Sequence, residues 1–242
     1  MRRRRLRLGG PLATAAALLA LAGVLIALSA PRILASLAAL SGEAVLARVQ
    51  DRKPVTASEL ERLIRSREKA LAWRETGRLW TDLALARLML LERRRVIRAD
   101  VDLAPVRDAL RRGLMLAPAN PYGWTRLAAV ESASGAAMDR LAAHVRMAIL
   151  TGPYERPLLF ARLELALAVW PEASAEDRRR IAGQIRWAWC ADRQSVLAAA
   201  GRAEAAEAVR SALAGWDEGP PLPAHCHADP GQTEVTARLL QD

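Results

Sequence analysis

Histidine, cysteine and aromatic side chains are scarce in this sequence. Its 242 residues include three histidines (His144, His225, His227), two cysteines (Cys190, Cys226) and one phenylalanine (Phe160). Aromatic residues make up 4% of the chain. Catalysis and metal binding therefore have little to draw on. The chain has no Gly-rich phosphate loop, no His-Glu metal motif and no serine at a strand–helix elbow. Carboxylates are scattered over helical surfaces, where solvation is their default role. No catalytic residue, cofactor or metal ligand is expected. No zinc-finger spacing or RNA-recognition motif accompanies the positive charge, so nucleic acid is not an expected partner. Nor does any stretch alternate apolar and polar residues long enough to argue for a sheet. The dominant residues are Ala, Leu and Arg, which are strong helix formers, and the expected fold class is all-α.

Charge is concentrated at the start. Of the net +10, five charges lie on Arg2, Arg3, Arg4, Arg5 and Arg7. Residues 11–30, PLATAAALLALAGVLIALSA, then hold 20 positions without a charge. At about 1.5 Å per residue this run crosses a bilayer core of about 30 Å. The arginines should stay in the cytoplasm and the rest of the chain should lie across the membrane. In a bacterium this describes a single-pass inner-membrane protein with a cytoplasmic N-terminus and a periplasmic domain. The alternative is a cleaved signal peptide. The apolar run is long for a signal core, and Leu28-Ser29-Ala30 is followed by Pro31, a poor residue after a cut. These flanks favour an uncleaved anchor.

The remaining plan comes from composition. Residues 1–31 form the basic tail and transmembrane anchor. Residues 32–54 form a juxtamembrane helix and a linker ending at Asp51-Arg52-Lys53-Pro54. The apolar part, residues 32–50, can extend the anchor helix, lie on the bilayer or pack on the helical domain. That domain spans residues 55–215. It opens at Thr56 and Glu59, spaced as a capping box, with Val55 and Leu60 as the staple. Residues 216–242, rich in Pro and Gly, read as an extended tail with a short helix over 233–240.

Within the domain, residues 109–153 set the pattern. A helix ends before Pro118. Asn120 and Pro121 are suited to cap and open the next helix. Trp124, Leu127, Ala128 and Glu131 share one face, and Gly135 supplies the positive φ that ends it. A second helix runs from Ala136 to about Leu150, and Gly152-Pro153 ends it. Pro118 and Pro153 are 35 residues apart. In this spacing, and in Trp124, Leu127, Ala128, Gly135 and Pro153, the stretch resembles a tetratricopeptide repeat. The family's usual tyrosine place holds Glu131, and the second helix carries one extra residue before Ala148 and Pro153 come into register. Trp80, Leu83 and Ala84 repeat Trp124, Leu127 and Ala128. Phe160 and Leu163 mark a looser third copy, and residues 197–206, with Gly201 at the turn, mark the middle of a fourth. The resemblance implies a right-handed superhelix of about three to four irregular hairpins behind the anchor. The alternative is a non-repetitive, Ala-rich helical bundle.

An oxidising compartment would permit a Cys190–Cys226 disulfide stapling the tail to the last repeat. The alternative is two free thiols. His225-Cys226-His227 with Asp229 has the wrong spacing for structural zinc. Trp80 and Trp124 are expected in the core, while Trp73, Trp187 and Trp216 are freer to reach a surface. The leading functional expectation is a non-enzymatic adaptor, anchored through residues 11–30, that binds protein partners in an envelope assembly such as surface-polysaccharide synthesis or export. The alternative is an accessory protein that binds or modifies envelope glycan, holding an anionic glycan with arginine and exposed tryptophan.

Overall fold

The computed structural model describes residues 11–93 and 99–214. All regular elements among them are helices. The arginine cluster at 2–7, the tail with Trp216, and His225, Cys226, His227 and Asp229 lie outside the described residues. The chain divides into two units, residues 1–93 and 94–242.

The first unit is built on α1 (Pro11–Gln50), one unbroken helix of 40 residues with Pro31 inside it. Its N-terminal half is long and apolar enough to cross a membrane and buries nothing against the protein. Residues 32–50 both extend this helix and pack on the protein. Ala35, Ala39, Val45 and Leu46 turn inward onto α2 (Ala57–Trp73), which α3 (Gly77–Glu92) covers in turn. The capping box opens α2 as the spacing requires: Glu59 N–H donates to Thr56 Oγ1 at 3.3 Å, and Thr56 N–H donates to Glu59 Oε2 at 2.7 Å.

The contact between α1 and α2 is close. A Cβ on Gly42 would lie 2.2 Å from Ser66 Oγ and 2.9 Å from Leu63 Cδ1. Beside it, the fully buried Arg67 donates to the Ala39 carbonyl at 3.0 Å and to Glu43 at 2.9 Å, and its Nε is 3.3 Å from Asp82. One guanidinium thus ties α1, α2 and α3 together. A buried charge of this kind is tolerable only when its partners are in place, and removing one side typically costs about 3–5 kcal/mol.

The second unit contains α4 (Ala99–Asp102), α5 (Ala104–Leu116), α6 (Pro121–Ala133), α7 (Met138–Thr151), α8 (Leu159–Val169), α9 (Ala175–Ala191), α10 (Arg193–Arg202) and α11 (Ala206–Leu213). From α5 onward each helix packs on the next, and α6, α7, α8 and α9 also touch the helix two places along. Leu127, Ala128, Leu163, Ile181, Ile185, Ala208 and Val209 lie in this core. Asn120 caps α6, accepting from Gly123 N–H at 3.0 Å. Gly135 takes φ +66° at the turn into α7. α5 begins after Leu103, which offers no side-chain cap.

Four expectations are corrected. Phe160 is not a core residue. It is 37% exposed, and Leu159, 2% exposed, takes the buried place. Leu159 lies 35 residues after Trp124, the same interval that separates Pro118 from Pro153, whereas Phe160 is one residue out of phase. Gly201 is not at the last turn, because it lies inside α10, and the left-handed residue is Glu204 at φ +50°. Trp187 does not reach a surface but is buried with Trp189 in α9. Trp80 and Trp124 are half-buried rather than enclosed.

Candidate functional site

The two tryptophan copies share a local design. Thr76 and Asn120 cap their helices four residues before Trp80 and Trp124. The next residues, Thr81 and Thr125, are buried and return their hydroxyls to the carbonyls of Gly77 and Pro121 at 3.0 and 2.8 Å. Leu83 with Ala84, and Leu127 with Ala128, then face the core. The Trp124 indole lies over the turn before its own helix. Its Nε1 donates to the Pro118 carbonyl at 2.7 Å, and its ring lies 5.7 Å from the His144 ring.

Around His144 lies a charged cluster. Glu131, 2% exposed, accepts from Arg111 at 2.7 Å, with Arg107 at 3.8 Å. Burial lowers the pKa of the half-buried His144. The charge of Glu131 acts against this shift, and Arg111 and Arg140 reinforce it. His144 is therefore held neutral over more of the acid range than a free imidazole.

The best-defined polar surface lies where α6 meets the turn after α7. The turns are in close contact: a Cβ on Gly152 would lie 2.7 Å from Pro121 Cγ. Tyr122 and Arg126 are one turn apart on α6. The Tyr122 hydroxyl donates to Glu155 at 3.1 Å, and the Arg126 guanidinium lies 5.7 Å from the Tyr122 ring centre. Burial, then the Glu155 carboxylate, raises the phenol's pKa. Fully buried Arg162 braces the turn from below. It donates to the carbonyls of Ala148, at 2.9 Å, and Gly152, which close α7, and to Pro153 at 3.4 Å. Gln184 of α9 also donates to Pro153, at 2.8 Å. Burial brings the Arg162 pKa down to about 10, still charged at neutral pH.

Arg162, Glu155 and Tyr122 did not stand out in the sequence. Arg162 lies 35 residues after Leu127. With the third copy in phase, a charged residue at a core place would have marked it.

A small cleft lined by Ala142, Val145, Ile149, Val169, Ala173 and Ile181, with Arg146, Asp177 and Arg180 among its walls, encloses about 10 Å³. That is room for about one water molecule. Arg146 holds Asp177 through two hydrogen bonds of 2.8 Å. Burial pushes the Asp177 carboxyl up, but hydrogen bonds from Arg146 and Ser174 and the charges of Arg146 and Arg180 outweigh it, so the pKa falls. These arrangements suit recognition by shape, hydrogen bond and charge. Cys190 is half-buried, and its pairing with Cys226 lies outside the described residues. Compared with protein-family models, curated proteins and solved structures, the chain has no match.

Proposed function

We propose that this chain is a membrane-anchored, periplasmic adaptor whose tetratricopeptide-like hairpins bind protein partners of an envelope assembly. The observation that carries the reading is the continuity of α1: a stretch long and apolar enough to span a membrane runs without a break into a helix clamped by Arg67. An anchor of this kind confines the chain to the membrane. Support for the repeat comes from the 35-residue register of Pro118 with Pro153 and Trp124 with Leu159, and from helices that pack on their next and next-but-one neighbours. Stacked hairpins offer an extended surface for peptides and proteins. Tyr122 and Arg126 lie on the first helix of a hairpin, where a bound segment would meet them.

Protein partners are preferred to glycan for a specific reason. Burial of Trp187 and Trp189 leaves Trp73 as the one exposed tryptophan among the described residues, so the ring platform that glycan binding needs is thin. The test is affinity purification from solubilised membranes with the native chain and a Tyr122→Ala, Arg126→Ala double variant. A specific protein retained by the first and lost by the second, with both melting alike, is the expected result. Identical co-purification removes Tyr122 and Arg126 from the reading. A reporter active only in the periplasm, fused after Asp242, should be active, and activity of a cytoplasm-only reporter there overturns the placement.

A further inference from the structure

Beyond Arg32 the outer face of α1 stays apolar and uncovered. Leu37 is 56% and Leu40 is 62% exposed, Ile33 is likewise open, and Ala44 and Ala47 continue the exposed face. The positions 33, 37, 40, 44 and 47 step by four and three, the spacing of a coiled-coil seam. The same phase extends back through Ala30, Ile26, Gly23, Leu19 and Ala16, so ten successive seam positions from 16 to 47 hold no polar or charged residue. The opposite face, Ala35, Ala39, Gly42 and Leu46, is already taken by α2.

Lipid does not account for the upper part of this stripe. If residues 11–31 fill a hydrocarbon core of about 30 Å, Leu37 stands about 8 Å and Leu40 about 12 Å above the level of Arg32. The headgroup layer on one side is only about 5–8 Å deep. Leu40, Ala44 and Ala47 therefore lie beyond it. A second copy of this chain meets every requirement of the stripe. It is inserted in the same direction, so its seam is parallel and level. It is confined to the same membrane, which raises its effective concentration. A two-fold pairing also places the same surface on both sides, with Ile33, Leu40 and Ala47 at one seam position and Leu37 and Ala44 at the other. Small residues within the bilayer let two helix backbones approach closely.

We infer that α1 pairs with α1 of a second copy through Ile33, Leu37, Leu40, Ala44 and Ala47, with α2 and α3 of each copy on the outside. This rests on the anchor reading of residues 11–31. Carbonate extraction tests that reading separately: release of the full chain from membranes overturns the anchor whatever the cross-linking shows. The pairing is tested on full chain in native membranes, in a Cys190→Ser, Cys226→Ser background, with single Leu37→Cys, Leu40→Cys, Ser41→Cys or Ala44→Cys substitutions under mild oxidation. Disulfide-linked dimer at 37, 40 and 44, at least fivefold above that at the neighbouring exposed position 41, is expected. Equal cross-linking at all four positions, or none at any, overturns the pairing. A monomer in which Leu40→Cys is shielded from a water-soluble maleimide also overturns it, since lipid would then be the cover. Because each variant adds one small side chain on an exposed face, folding is checked by an unchanged melting temperature.

Discussion

Arg111 of α5 and Glu131 of α6 form an ion pair of 2.7 Å, with the carboxylate almost wholly buried and the guanidinium partly in solvent. The pair joins two consecutive helices. Truncating Arg111 to Ala leaves Glu131 with Arg107 alone, at 3.8 Å. The expected loss is about 2–3 kcal/mol, the cost of stranding a buried charged group. Glu131→Gln, in the same shape but neutral, should lose less than Arg111→Ala. Denaturant unfolding of the three proteins gives the comparison, and an Arg111→Ala variant as stable as the native chain sinks this account of the pair.

The neighbours Leu159 and Phe160, where a third repeat is expected, show a sharp contrast. Leu159 is enclosed and the adjacent Phe160 is exposed. Leu159→Ala should cost about 2–5 kcal/mol through cavity formation. Phe160→Ala should stay within about 1 kcal/mol, although it removes the larger side chain. Thermal melts of the two variants suffice, and the reverse order would place the third copy back in phase with Phe160.

Much of the fold was legible because it depends on local chemistry. Thr56 and Glu59 cap α2, Asn120 caps α6, and Gly135 turns the chain, each through contacts within a few residues. The apolar run of α1 is evident from composition alone. The errors arose where tertiary packing chose between near-equal options. Phe160 and Leu159 are both large and apolar, and only the neighbouring helices decide which turns inward. Glu204 outcompetes Gly201 for the left-handed position because α10 continues to Arg202. The polar sites were the least legible. Arg67 and Arg162 resemble solvated charges in a sequence crowded with arginine, and their roles appear only when distant carbonyls and carboxylates are brought to them.

Stability should fall in mild acid, through His144. Its folded pKa is lowered, by burial first and by Arg111 and Arg140 in addition, with Glu131 opposing. Below the ordinary value of 6.5 the unfolded chain therefore binds more protons than the folded one at this group. Stability contributed by neutral His144 is present above that pH, is lost as the pH falls below it, and stops changing once the folded pKa is passed. Asp177 and Asp192 have lowered values and act in a separate window, losing their contribution only as pH falls below about 3.8. Melting temperatures of the native chain and of His144→Phe, measured between pH 7.5 and 5, should diverge in slope below pH 6.5. Parallel curves would falsify the assignment to His144.

Gly42 offers a double test of the clamp on the anchor helix. Nothing at this position demands an unusual backbone, since it lies within α1. Its lack of a side chain matters because α2 lies against it. A Cβ there would overlap Ser66 Oγ at 2.2 Å and crowd Leu63 Cδ1 at 2.9 Å. Gly42→Ala gains about 1 kcal/mol of helix propensity but forces two buried side chains to move, at about 1–3 kcal/mol. The net change should be a loss. Ser66→Ala alone removes the hydroxyl's bond to the Leu63 carbonyl and should cost about 1 kcal/mol. Combined, the two should lose less than the sum of the singles, because removing Oγ clears the nearest clash, whereas Leu63 still prevents full recovery. Coupling of about 0.5–1 kcal/mol in a double-mutant cycle is the expected sign of direct contact. Strict additivity would mean that α1 and α2 do not meet at Gly42, and Arg67 would then lose the close approach that brings the Ala39 carbonyl within its reach.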